Sequence, residues 1–251
     1  MGRARKAGVA LLVLSDHDSV AGFPEARDAA AQEAGMDVRC GVEINTRYGE
    51  NVHILGYGIR WQDPELLARL AEFRQRRVTR LSRILDNLGR LGVTLSLEEV
   101  RGGCSETLGR AHVADALRRK GLVSSRADAF RRFLAQGRPA YVESAGPSPE
   151  EAIALIRAAG GFAVAAHPGT VADAGAIAGW AKAGLEGLEV YYGGHTPSQV
   201  ARFQSLAESL KLLATGGSDY HGRDSGREAA MGVEVPDAVC RVFLERLARC
   251  N

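Results

Sequence analysis

Cysteine is scarce in this chain of 251 residues: there are four, Cys40, Cys104, Cys240 and Cys250, with no CxxC pair and no regular spacing. That argues against a zinc ribbon or a disulfide framework and points to a reducing cytoplasm. Long apolar runs are missing too. None approaches the ~18 residues that a membrane span needs, so a membrane is not an expected partner. Net charge is nearly absent at +2, so the overall balance names no partner. There is no internal repeat and no low-complexity tract, and a composition of 45% hydrophobic and 25% charged residues argues against disorder. Arg3, Arg5 and Lys6 followed by residues 7–14 imitate the first two regions of a signal peptide. No small-residue cleavage site follows, and Asp16-His17-Asp18 comes at once, so a signal peptide is not expected.

What charge there is, is segregated. From Glu65 to Arg138 there are 16 Lys and Arg against 8 Asp and Glu, a net of +8, which leaves the remainder at −6. A basic middle beside an acidic remainder suits an anionic substrate held near cation ligands.

Four apolar runs end on metal-binding residue types. Residues 9–14 lead into Ser15-Asp16-His17-Asp18, and 38–42 reach Glu43. Residues 162–166 stop at His167-Pro168, and 212–215 lead through Gly216-Gly217 to Ser218-Asp219-Tyr220-His221. Short β-rich runs alternating with helical stretches read as buried parallel strands, and in such folds functional residues collect at strand C-terminal ends.

Between these runs, Gly22-Phe23-Pro24 opens a helix through about Glu33, stopped by Gly35. Strands near 38–46 and 52–57 flank the polar break Tyr48-Gly49-Glu50-Asn51, a β-hairpin signal. Glu43 and His53 lie symmetrically about Tyr48, so they are expected to face each other across the pair. Helical pattern then runs from 64 to about 91, with a stripe of Leu66, Leu70, Phe73, Leu81, Leu85 and Leu88. Further helices are expected at 97–100, 110–120 and 126–135, and 137–149, rich in proline, reads as a return linker. Alternation resumes with helix 149–159, strand 162–166, helix 173–183, strand 187–191, helix 197–210, strand 212–215 and helix 237–249. The pattern is a βα-type barrel interrupted by helices, divided as 1–63 with 139–251 and an inserted 64–138.

Asp219-x-His221 sets two ligand types two residues apart on one side of extended backbone. Imidazole with carboxylate suits Mn²⁺, Fe²⁺ or Zn²⁺ better than Ca²⁺. His17 is the ligand type in the first cluster, with Asp16 and Asp18 able to orient it. Glu43 is a carboxylate able to bridge two ions, and His167 is a strand-end imidazole stiffened by Pro168. Singly, each has an ordinary reading: a hydrogen-bonded structural histidine, or a helix cap or turn for Asp219. Their convergence favours a cation, because gathering this many ionisable groups without one is costly. Arg110 and His112, at the start of a basic helix, fit a phosphate site or a solvated helix start equally well. His195 reads as a residue of the loop before a helix. Arg74, Arg76, Arg77, Arg80 and Arg83 read as a solvated helix face, with a nucleic-acid track as the minor alternative.

Ser15-Asp16-His17-Asp18-Ser19-Val20-Ala21-Gly22, Gly41-Val42-Glu43-Ile44, His53-Ile54-Leu55-Gly56-Tyr57, Ala166-His167-Pro168-Gly169 and Gly217-Ser218-Asp219-Tyr220-His221-Gly222 together resemble the PHP (polymerase and histidinol phosphatase) family of metal-dependent phosphoesterases. Gly109-Arg110-Ala111-His112-Val113-Ala114 and Gly137-Arg138-Pro139-Ala140-Tyr141-Val142 are similar to the helical insertion of a subgroup acting on 3′,5′-bisphosphate nucleotides and RNA 5′ ends. The resemblance implies a distorted seven-stranded (β/α) barrel with an all-helical insertion, holding up to three divalent ions. Mn²⁺ leads, with Fe²⁺, Zn²⁺ or Mg²⁺ as alternatives. It implies His17, Glu43, His53, His167, Asp219 and His221 as ligands, Asp16 behind them, and Arg110 and His112 on the substrate phosphate. The family's opening strand ending in His-x-His has no counterpart here, so the expected barrel lacks its first strand. The implied activity is hydrolysis of a phosphate monoester on a nucleotide or an oligonucleotide or RNA end. A histidinol-phosphate-type phosphatase, or an impaired form that only binds nucleotide or nucleic acid, are the alternatives.

Overall fold

The computed structural model describes residues 1–31, 36–49, 51–102, 107–222 and 230–250. The chain divides into two compact units, Met1–Ala68 with Pro147–Asn251, and Arg69–Gly146.

The first unit is built on one six-stranded sheet in the order β1-β2-β3-β4-β5-β6. The strands are β1 (Leu11–Leu14), β2 (Asp37–Asn45), β3 (His53–Tyr57), β4 (Phe162–Ala165), β5 (Gly187–Tyr192) and β6 (Leu213–Gly217). The sheet is mixed rather than wholly parallel. β1–β2, β4–β5 and β5–β6 are parallel, whereas β2–β3 and β3–β4 are antiparallel. The reason is the hairpin at 46–52: it reverses β3, and β4 then runs with β2 and against β3. His53 therefore stands at the N-terminal end of its strand, while His17, His167, Asp219 and His221 lie just beyond C-terminal strand ends and Glu43 lies two residues before the end of β2.

The sheet is curled. Leu11 and Val13 of β1 and Leu213 of β6 pack on one core with Leu55, Tyr57, Phe162, Val164, Phe243 and Leu247. In a flat sheet, six strands at ~4.8 Å spacing would hold those two edges roughly 24 Å apart. Strand β4 is buried along its whole length, as a strand covered on both faces must be.

Helices α2 (Phe23–Ala31), α7 (Pro149–Ala158), α8 (Ala174–Lys182), α9 (Pro197–Leu210) and α10 (Asp237–Ala248) belong to this unit. Two are sharply started: Ser148 with Glu151, and Thr196 with Gln199, form reciprocal capping pairs, each followed by proline at the first helical position. A short helix, α1 (Gly2–Lys6), lies where the sequence reads only as a basic leader. The expected end of α2 at Glu33 and Gly35 falls outside the described residues, as does Glu50 of the hairpin turn.

Among its described residues the second unit is all-helical. It holds most of α3 (Pro64–Arg90), with α4 (Leu97–Arg101), α5 (Arg110–Arg119) and α6 (Arg126–Ala129), the last continuing as a π-helical turn over Phe130–Leu134. Leu81, Ile84 and Leu88 of α3 pack with Val113, Ala114, Leu117, Ala129 and Leu134 in a core of its own. The arginine face of α3 is less solvated than its composition suggests: Arg80 donates from Nε and Nη2 to the Val142 carbonyl at 2.8 and 2.6 Å. Among the described residues no helix is long and apolar enough to cross a membrane, and the three cysteines described, Cys40, Cys240 and Cys250, are free thiols.

Candidate metal centre

The ligand-bearing edge of the sheet gathers three imidazoles around one carboxylate. Glu43, only 6% exposed, points its Oε1 at His53 Nδ1 (2.6 Å) and His167 Nε2 (3.2 Å), and its Oε2 lies 3.5 Å from His17 Nδ1. His53 Nδ1 and His167 Nε2 are themselves 3.2 Å apart. His17, Glu43 and His53 each offer a ligand atom, all within 4.8 Å of one another. Nitrogen and oxygen donors at these spacings fit a first-row divalent ion, whose bonds to them are ~2.0–2.2 Å.

Backbone geometry places these groups. β1 ends at Leu14, and the chain then bridges to β2: Glu43 N–H donates to the Asp16 carbonyl (3.1 Å), and Asp18 N–H to the Glu43 carbonyl (2.9 Å). That ladder sets His17 beside Glu43. On β2 and β3 the register pairs Glu43 with Leu55 and Asn45 with His53. Glu43 and His53 are thus diagonal neighbours on one face, within reach of long side chains, and not direct partners as symmetry about Tyr48 implies. The hairpin is centred one residue later.

Asp219 and His221 complete the edge. The His221 Nδ1–H donates to the Asp219 carbonyl at 2.7 Å, which leaves Nε2 with its lone pair, the usual arrangement for a ligating histidine. The His221 ring sits 5.6 Å from that of His17. Asp219 Oδ2 accepts a 3.3 Å bond from Tyr192. His167 is oriented through its other nitrogen: its Nδ1 meets Thr170 Oγ1 at 3.3 Å while Thr170 donates to the Asn51 carbonyl at 2.9 Å. Its Nε2 therefore faces Glu43.

Asp18, His167 and Asp219 all have positive φ, at 49°, 26° and 51°. L-residues in that region store strain, which clusters at functional sites.

The charges are mutually adjusted. Burial pushes the Glu43 carboxyl up, but the charges of His17 and His53 and hydrogen bonds from His167 and His53 hold it well below the usual carboxylate range. Burial lowers His167, yet the bond and charge of Glu43, with Glu189 and Asp219 beyond, leave it raised. Glu189, 4% exposed, is pushed up to about 7, mainly by burial.

All six expected ligands thus gather at one edge. Asp16 is exposed and contributes its carbonyl, whereas Asp18, 1% exposed, accepts from Asn45 N–H at 3.1 Å. The Asn45 side-chain amide also lies 3.0 Å from His17 Nδ1. Arg110 and His112 belong to the helical unit. Gly109 N–H donates to His112 Nδ1 (3.1 Å), and the Arg110 guanidinium stacks over Phe130 and Tyr141 at 5.5 and 5.9 Å. Sequence reading missed Asn45, Glu189 and Tyr192. Glu189 carried a signal, a lone carboxylate inside an apolar strand. His195, read as a loop residue, donates from Nδ1 to the Val190 carbonyl at 3.0 Å.

Fold and site define an α/β protein with a histidine–carboxylate divalent-metal centre at the edge of its sheet. No family-level sequence profile matches the chain. It is 34% identical to a 3′,5′-nucleoside bisphosphate phosphatase of Chromobacterium violaceum, over 98% of this chain and 88% of the relative. It is 32% identical to a 5′-3′ exoribonuclease of Haemophilus influenzae, over 96% of this chain and 90% of the relative. A Bifidobacterium adolescentis structure assigned to the metal-dependent phosphoesterases superposes with a TM-score of 0.85 at 32% identity, covering 99% of this chain and 88% of that one. The chain belongs to the PHP family of metal-dependent phosphoesterases and is a hydrolase.

Proposed function

We propose that this chain hydrolyses a phosphate monoester on a nucleotide of the 3′,5′-bisphosphate type or on an oligonucleotide or RNA end. One observation carries the reading: three imidazoles converge on the Glu43 carboxylate at the sheet edge where Asp219 and His221 also lie. The relatives' activities on nucleoside bisphosphates and RNA supply the substrate class.

In this proposal His17, Glu43, His53, His167, Asp219 and His221 would hold up to three ions, Mn²⁺ foremost, within a PHP-type barrel that lacks the first of its seven strands and carries a helical insertion. Such ions supply positive charge to phosphoryl oxygens and lower the pKa of water towards neutrality. Glu43, with both oxygens engaged by imidazoles, is the residue suited to two ions at once. His221 is held with Nε2 free of hydrogen, so it need not reorganise before ligation, whereas His167 Nε2 would give up the hydrogen it shares with Glu43. Arg110 and His112 are proposed phosphate contacts. A guanidinium offers a fixed fork of donors, and a neutral His112 whose Nδ1 accepts from Gly109 carries its hydrogen on Nε2 and can donate it to a phosphoryl oxygen.

The test is phosphate release with Mn²⁺ from adenosine 3′,5′-bisphosphate, a 5′-phosphorylated oligoribonucleotide and histidinol phosphate, compared side by side. Release from the first two, well above the third, supports the reading, and Arg110→Ala should raise KM more than it lowers kcat. Preference for histidinol phosphate would replace it. Salt-sensitive nucleotide binding without release would mean a binding protein.

A further inference from the structure

We infer that Glu189 and Tyr192, both on β5, are positioning residues for His167 and Asp219, and that a bulge in β5 puts them on the same face. The inference rests on the metal reading above.

The bulge is visible in the register. Glu189 pairs with Thr215, and Tyr191 with Gly216, so β5 advances two residues while β6 advances one. Side chains alternate along a strand, so residues three apart point to opposite faces. One inserted residue, Val190, cancels that difference. Both side chains then reach the metal-site edge. Glu189 Oε2 accepts from the His167 backbone N–H at 2.7 Å. The Tyr192 hydroxyl donates to Asp219 Oδ2 at 3.3 Å, and its ring lies 5.7 Å from that of His167. The displaced Val190 carbonyl is taken up by His195 Nδ1–H at 3.0 Å, which gives this loop histidine a role in holding the bulge.

The two residues act where the chain is strained. His167 and Asp219 have φ of 26° and 51°. A backbone held there needs partners that fix it, and Glu189 supplies one to the His167 amide itself. Gly217 keeps the carboxylate in place: a Cβ at that position would come 2.5 Å from Glu189 Oε1. Two ligands from different strands are thereby oriented by a third strand that supplies no ligand.

The experiment is Mn²⁺ binding by calorimetry on the full chain, with kcat, KM and melting temperature measured beside it. The set comprises wild type, Glu189→Ala, Glu189→Gln, Gly217→Ala and Tyr192→Phe. Glutamine keeps a carbonyl oxygen for the His167 amide, so Glu189→Gln should stay within about threefold of wild type. Glu189→Ala and Gly217→Ala should weaken Mn²⁺ binding ~10–100-fold, the range for lost outer-shell partners. Tyr192→Phe should lose a few-fold, as one long hydrogen bond allows, with kcat affected more than KM. Wild-type affinity in Glu189→Ala, or an equal loss in Glu189→Gln, overturns the inference. If Glu189→Ala does not fold, Gly217→Ala and Tyr192→Phe decide it: wild-type binding in both overturns it. A wild type that binds no Mn²⁺ overturns the metal reading instead, a separate outcome.

Discussion

The Nδ1 of His53 lies 2.6 Å from Oε1 of Glu43, across a hairpin whose register pairs neither with the other. This diagonal contact ties two strands into one metal-binding surface. Glu43→Gln keeps the shape of the side chain and removes its charge. Mn²⁺ affinity and kcat should each fall by more than about 100-fold, since a ligand should matter at least as much as an outer-shell partner. Calorimetry and phosphate release check this. Retained affinity would remove Glu43 from the ligand set.

His221 stands on a turn after β6, with its side chain 30% exposed. Substitution there should leave packing intact. His221→Ala should therefore abolish turnover, while the far-UV circular dichroism spectrum and melting temperature stay close to wild type. Retained turnover in a folded variant would defeat its assignment as a ligand.

Ions that bind the folded chain stabilise it by mass action. At a hundredfold excess over Kd the gain is about 2.7 kcal/mol, a rise of roughly 5–10 °C for a chain of this size. Differential scanning fluorimetry with Mn²⁺, then with excess chelator, should show that rise and its reversal. An unchanged melting temperature counts against tight binding.

His112 offers a pH test away from the metal ligands. Its pKa is lowered from 6.5, chiefly by burial, with the charges of Arg126 and Arg77 adding to this and Asp115 opposing it. The unfolded chain therefore binds the proton more readily than the folded one. The contribution of this residue to stability is full above 6.5 and declines as pH falls from there towards the folded value. NMR titration of its ring should give a midpoint below 6.5. A midpoint at or above it would contradict the half-buried neutral imidazole that the Gly109 bond requires.

Much was legible along the chain because it is local. Helix starts show in Ser148-Pro149 and Thr196-Pro197, strands in short apolar runs, and the helical core of the second unit in the α3 stripe. The ligand types also stand at run ends, so His17, Glu43, His167, Asp219 and His221 could be listed from residue type and position alone. Strand direction could not be. Nothing local to residues 162–165 says that β4 runs antiparallel to β3, and a strand buried on both faces shows no alternation to reveal it.

The sequence alone determined which residues could bind a cation, and roughly where helices and strands would fall, since both follow from short-range spacing and side-chain chemistry. Tertiary structure decided how those residues meet. The hairpin register made Glu43 and His53 diagonal neighbours, the Val190 bulge turned Glu189 and Tyr192 to one side, and curling brought β1 and β6 onto a common core. Each depends on pairings between residues distant in sequence, where a single inserted residue reverses the face a side chain presents.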